Sequence, residues 1–330
     1  MRWIWKVAAF KGFGWTPGGE AIYHFIQRNI TRSMAVSASG NVLPKIHVGM
    51  KYLDFIERVL RIKDFSAIRH VDIGTGWMPT IPLLFYSVGF ERQVLCDIRY
   101  HLQPEIVSDV ISTFRQVVSQ DTNLEARCRH LPPLMDSGDK LESYLARIGI
   151  RYIAPYAYDD LLKEKGFKII TCTDVLLHLN KDQLRSLFKA VASALKKDGG
   201  IFIAPIPLYD VYSIFDRSLS PYNKWRYSDF VWEKLVNSEL MSFNRLTAPE
   251  YGQLLEEGGL EIMEFHVAEP TISDLQELRS TKVHKQFSHI PERELAAKEL
   301  FFVAKPRGAS PSDLLNVRIP SSGLKVAERL

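Results

Sequence analysis

Between residues 67 and 306, short apolar runs rich in β-branched residues alternate with stretches of helical period, and this alternation most restricts the fold. Strands are predicted over 67–73, 93–98, 149–154, 167–171, 200–206, 260–268 and 299–305. Helices fall between them: over 79–88, after Pro104 along the stripe Ile106, Val107, Val110, Ile111, Phe114, Val117 and Val118, from Asn180 to about 197, and from Thr247 to about 257. Two boundaries carry their own chemistry. Asn180 has Gln183 three positions on, a capping box, and Thr247-Ala248-Pro249-Glu250 joins a cap to an early proline and a glutamate. Strands separated by helices return parallel and must be covered on both faces. The expected fold is α/β: a doubly wound, mainly parallel seven-stranded sheet.

Residues 1–66 precede the first strand and read as a helical extension, with helices over about 20–32 and 45–62. A long connection, about 100–149, reads as an insertion, about 207–246 as a lid, and 307–330 as a tail. With 330 residues, 46% of them hydrophobic, one large core is affordable and wholesale disorder is not expected. A net charge of +4 without a basic run does not indicate nucleic-acid binding. Cys96, Cys128 and Cys172 lack metal-ligand spacing, so no metal is expected, and they read as reduced thiols of a cytoplasmic protein. No apolar run has the ~20 residues of a membrane span, and the start lacks a signal-peptide cleavage site. Trp3, Trp5, Phe10, Phe13 and Trp15 are expected to pack on the body, with peripheral membrane contact as the alternative.

The first strand runs into Gly74-Thr75-Gly76, and a helix starts near Pro79. Ligands of open parallel sheets bind beyond the carboxyl ends of the strands. Glycines let the backbone turn tightly and lie against a ligand, and the helix start adds free N–H groups. Asp97 ends the next strand about 20 residues on, where a carboxylate accepts from a ribose diol. A dinucleotide site asks for a further glycine near Pro79, where this chain has Met78-Pro79. That favours a nucleoside with an amino-acid arm over NAD.

Val71-Asp72-Ile73-Gly74-Thr75-Gly76 resembles the first motif of class I S-adenosylmethionine (SAM)-dependent methyltransferases, which have a Rossmann-like sheet with an antiparallel last strand. In order, Asp97 resembles the family's ribose-holding acid, residues 170–179 its fourth-strand segment, 195–203 its turn into strand five, and 301–305 its final strand. The resemblance implies SAM as cofactor. Asp72 would steady the turn or face the ammonium group through water; Gly74, Thr75 and Gly76 would line the methionine part; Asp97 would hold the ribose; Cys172 and Thr173 would offer backbone. Two positions depart from the family: Met78 replaces a third glycine, and 153–156 lacks an acid for the adenine amine. Tyr156 or Tyr158 would stack near the adenine, or Asp159 or Asp160 would reach it.

Methyl transfer needs the acceptor held in line and water excluded, and a hydroxyl acceptor also needs a base. His178, just past strand four, is the candidate base, with a helix-entry histidine bonded to backbone as the alternative. The aromatic segment 207–230, with Tyr209 and Tyr212, reads as a substrate lid or a packing cap. Arg28 and Arg32 share a helix face and would meet a carboxylate or lie solvated. His284, Lys285 and His289, between strands six and seven, are expected at the surface, with a lid as the alternative. The functional expectation is methyl transfer to a hydroxyl or amine of a small molecule or glycan. The alternatives are a non-catalytic interaction protein of the same fold and an NAD-dependent oxidoreductase.

Overall fold

A computed structural model describes residues 3–15, 42–62, 64–136, 138–163, 166–195, 199–238 and 241–308. Seven strands form one sheet: β1 (Arg69–Ile73), β2 (Arg92–Cys96), β3 (Ile150–Ile153), β4 (Ile169–Cys172), β5 (Ile201–Pro207), β6 (Leu260–Val267) and β7 (Glu299–Pro306). Their order is β3-β2-β1-β4-β5-β7-β6, so the crossover sits between β1 and β4. β1 to β5 pair in parallel, and β7 runs antiparallel to both β5 and β6. Each predicted strand forms, with no end moved by more than two residues.

Successive strand residues face opposite sides of the sheet. Val71, Ile73, Val94, Cys96, Ile170, Cys172, Phe202 and Ala204 join one core layer. Leu95, Ile169, Ile201, Ile203 and Val303 join the other. Burying each large aliphatic among them stabilises the fold by about 1.5–3 kcal/mol. The second layer is covered by α2 (Val42–Leu60), α3 (Thr80–Val88) and α4 (Pro104–Gln120). The first is covered by α8 (Lys181–Ala194) and α9 (Ala248–Glu257). The capping box forms at the start of α8, with Asn180 accepting from Gln183 N–H and Gln183 accepting from Asn180 N–H, both at 2.9 Å. Its apolar face, with Leu184, Leu187, Phe188 and Val191, then packs on the sheet.

The long connection after β2 is helical: α4, α5 (Thr122–Arg127) and α6 (Leu141–Arg147) fill it before β3. α7 (Tyr158–Lys163) follows β3. At the N-terminus, α1 (Trp3–Trp15) is a helix ahead of the two expected over 20–32 and 45–62. Trp3, Val7 and Phe10 pack with Tyr212, Trp232 and Phe243 as a separate apolar cluster, whereas Ile4 and Trp5 are exposed. Among the described residues, no helix is long and apolar enough to cross a membrane. Arg28, Arg32 and the helix expected over 20–32 lie outside the described residues, as does the tail beyond 308.

Candidate active site

The turn after β1 is held from three sides. Gly74 N–H donates to Cys96 O at 2.7 Å, which ties the turn to the end of β2. Gly74 has φ +74, and a Cβ there would lie 2.2 Å from Val175 Cγ2. Both the left-handed backbone and the contact with Val175 exclude a side chain. Gly76 has φ +66, and the space its Cβ would enter is open. Its N–H donates to Asp97 Oδ2 at 2.9 Å. Asp97 Oδ1 is 3.6 Å from His101 Nε2, and Trp77 packs on His101 with ring centroids 4.7 Å apart.

Above this turn lies a cleft of about 1140 Å³. Ile73, Gly74, Gly76, Asp97, Ile98 and Tyr156 are among the residues that line it. Tyr156 is buried, and its backbone N–H donates to Asp97 O at 2.9 Å. An open space over Gly76, a carboxylate beside it and an apolar wall fit a nucleoside carrying an amino-acid arm. Gly74, Gly76, Asp97 and Tyr156 are thereby brought together. Asp72, Thr75, Cys172 and Thr173 are not among the residues that line this cleft. Asp72 is buried beneath the turn, with Oδ2 accepting from the Thr75 hydroxyl at 2.8 Å and Oδ1 lying 2.7 Å from the Thr171 hydroxyl. Thr75 thus braces the turn from below. Cys172 is fully buried, and burial pushes its thiol well above its ordinary range. The Thr173 hydroxyl pairs with Tyr52 of α2 at 2.8 Å.

His178 lines the cleft at the end of the 3-10 turn Leu176–His178. Its Nδ1 lies 2.8 Å from Ser242 O. A carbonyl only accepts, so Nδ1 carries the proton and Nε2 keeps a lone pair. Burial lowers the His178 pKa, and its ring packs on Phe243 at 4.9 Å. The turn itself is pinned by Asn244, whose side-chain amide donates to Leu176 O at 2.9 Å and Leu179 O at 2.8 Å. Tyr251 of α9 donates to Asn244 Oδ1 at 3.0 Å and completes the brace.

The segment expected to form a lid or a packing cap is built around Arg245 rather than around the tyrosines. Its buried guanidinium donates to Lys224 O at 2.9 Å, to Tyr227 O and to Asp229 Oδ1, and it lies over the rings of Trp232 and Phe287. Tyr212 is fully buried against Trp3 and Phe243, inside the cluster that docks α1. Tyr209 is half-buried just beyond β5, and burial and the nearby Asp174 charge raise its pKa. Asp229, Glu233, Asn237, Glu250, Gln286 and Phe287 also line the cleft, as does exposed His289.

Several of these positions carry no sequence signal. Asn244 and Arg245 follow a stretch without periodicity, and Asp174 is notable only in the fold. It adopts φ +59 directly after β4, and its charge acts on Tyr52, Cys172 and His178. Aspartate is among the few residues that tolerate this backbone.

The family model of a methyltransferase domain matches residues 46–264. No curated protein matches the chain. Among solved structures, a SAM-dependent methyltransferase from Methanosarcina mazei is 17% identical, with a TM-score of 0.42 over 77% of this chain and 97% of its own. One from Mesorhizobium loti is 15% identical, with a TM-score of 0.38 over 74% and 94%. Geranyl diphosphate C-methyltransferase from Streptomyces coelicolor is 12% identical, with a TM-score of 0.41 over 78% and 77%. These likenesses are distant and carry no argument about the acceptor. On the family match, the chain belongs to the methyltransferase-domain family and is a class I SAM-dependent methyltransferase.

Proposed function

We propose that this enzyme methylates a hydroxyl of a small molecule or glycan, with His178 as the base. The observation that carries this reading is the His178 tautomer: Nδ1 is committed to Ser242 O, so the acceptor nitrogen is Nε2, in a residue that lines the cleft. SAM supplies an electrophilic methyl group on a sulfonium. The acceptor oxygen would displace S-adenosylhomocysteine from that methyl, breaking its carbon–sulfur bond, and His178 Nε2 would take the proton that the hydroxyl loses. Burial keeps the imidazole neutral and ready to accept at neutral pH. Polar side chains that line the cleft, Asn237, Glu250 and Gln286 among them, suit an acceptor with several hydroxyls.

The test is transfer of a labelled methyl group to a panel of sugars, phenols and amines. A hydroxyl compound is the expected acceptor. His178→Asn is expected to lose about a hundredfold or more in rate, the usual contribution of a positioned base, while S-adenosylhomocysteine (SAH) affinity holds. An asparagine variant at the wild-type rate, or methylation of amines alone, would reject this role.

A further inference from the structure

Beneath the cofactor turn, a buried polar chain crosses three strands. Register places His70 beside Gln93 of β2 and Asp72 beside Thr171 of β4, all on one face of the sheet. Each is buried. Its hydrogens can be counted from one end. Gln93 Nε2 donates to Pro82 O at 2.9 Å, so Gln93 Oε1 faces the other way and accepts. His70 Nδ1, 3.0 Å from that oxygen, must carry a proton. His70 Nε2 is 2.8 Å from Thr171 Oγ1, which is 2.7 Å from Asp72 Oδ1. Two short contacts flank one hydroxyl, and a hydroxyl has one hydrogen. The second hydrogen must sit on His70 Nε2 or on Asp72 Oδ1.

We infer that Asp72 holds this hydrogen: the acid under the cofactor turn is a neutral carboxylic acid, and His70 and Thr171 are positioning residues that keep it so. Asp72 Oδ1–H donates to Thr171, Thr171 donates to His70 Nε2, and Asp72 Oδ2 accepts from Thr75, which braces the turn. The other arrangement buries an imidazolium and a carboxylate, and the surroundings disfavour it. Phe85 and Phe90 enclose the His70 ring with centroids 4.7 and 6.0 Å away. Burial pulls the His70 pKa down to about 3 and pushes that of Asp72 up. From α2, Lys45 favours an ionised Asp72, but burial outweighs it, and the Tyr52 phenol interacts with the same acid. From β2, Cys96 donates to the Asp72 backbone at 3.5 Å, and from β4 Cys172 lies close by; both are thiols. The turn therefore receives no formal charge from Asp72, and the carboxylate beside Gly76 is Asp97.

The inference rests on the turn binding the cofactor and is independent of His178 and of the acceptor. In wild-type protein at pH 7, infrared spectroscopy with ¹³C-labelled aspartate is expected to show a protonated carboxylic acid that disappears in Asp72→Asn. Nitrogen NMR is expected to show His70, assigned by loss in His70→Gln, as the neutral Nδ1–H tautomer. An imidazolium at His70, or an ionised Asp72, overturns the inference. In SAH titrations, Asp72→Ala is expected to weaken binding about tenfold. Asp72→Asn places an N–H donor where the acid has its O–H, and is expected to recover most of that loss. A folded Asp72→Asn protein that binds no better than Asp72→Ala contradicts a neutral acid. Both spectroscopic readouts use the wild-type chain, so they decide the matter even if a variant does not fold.

Discussion

Gly76 and Asp97, 21 positions apart, are joined by a single 2.9 Å hydrogen bond from backbone amide to carboxylate. The acid after β2 thus spends one oxygen on the shape of the turn, and Oδ1 remains on the side of His101. Two effects should separate on mutation. Asp97→Asn keeps an oxygen for Gly76 N–H and should retain thermal stability. Asp97→Ala leaves that N–H without its partner and should cost about 1 kcal/mol. Thermal melts of both variants check the difference, and equal stability of the two would remove the structural role of the bond.

Gly74→Ala should be far worse than an average surface change. It meets Val175 at 2.2 Å and forces a non-glycine residue to φ +74. Left-handed backbone costs about 1–2 kcal/mol and overpacking about 1–3 kcal/mol. Urea denaturation should report a loss of about 2–5 kcal/mol, and adding Val175→Ala should restore only the overpacking part.

The acid limb of activity is set by His178 if it is the base. Its pKa is lowered by burial, and the base works when neutral. The kcat/KM profile should therefore fall only below the ordinary histidine value of about 6.5. A limb above that value, or one that persists in His178→Asn, assigns the titration to another group.

Arg245 should matter for both stability and acceptor binding. Truncation to Met strands the carbonyls of Lys224 and Tyr227 in a buried place. A loss of about 2–4 kcal/mol is expected from denaturant unfolding. KM for the acceptor should rise while SAH affinity changes little if the segment over 207–246 covers the acceptor, because Arg245 shapes that segment and not the glycine turn.

The sheet, its motifs and the turn were legible because strand period, glycines and caps are local signals. The β1 strand shows where that legibility stopped. A central parallel strand is normally apolar throughout, yet residues 69–73 place His70 and Asp72 on one face. That alternation marks a buried polar network, but its partners Gln93 and Thr171 come from strands that only the folded register brings alongside. The aromatic segment after β5 shows a related limit. Tyr212 is aromatic and lies in the right segment, yet α1 returns to bury it, a contact between residues more than two hundred positions apart. Tyr158 and Asp159 have side chains outside the described part of the molecule, so their expected adenine contacts stay as sequence expectations.

Calorimetric titration with SAM, SAH and NAD, on wild-type protein and Asp97→Ala, tests the central claim most directly. SAM and SAH should bind with one site per chain, NAD should not, and Asp97→Ala should weaken SAH by about tenfold or more. Binding of NAD alone, or an unchanged SAH affinity in Asp97→Ala, would contradict a cofactor seated on Gly74–Gly76 with its ribose at Asp97.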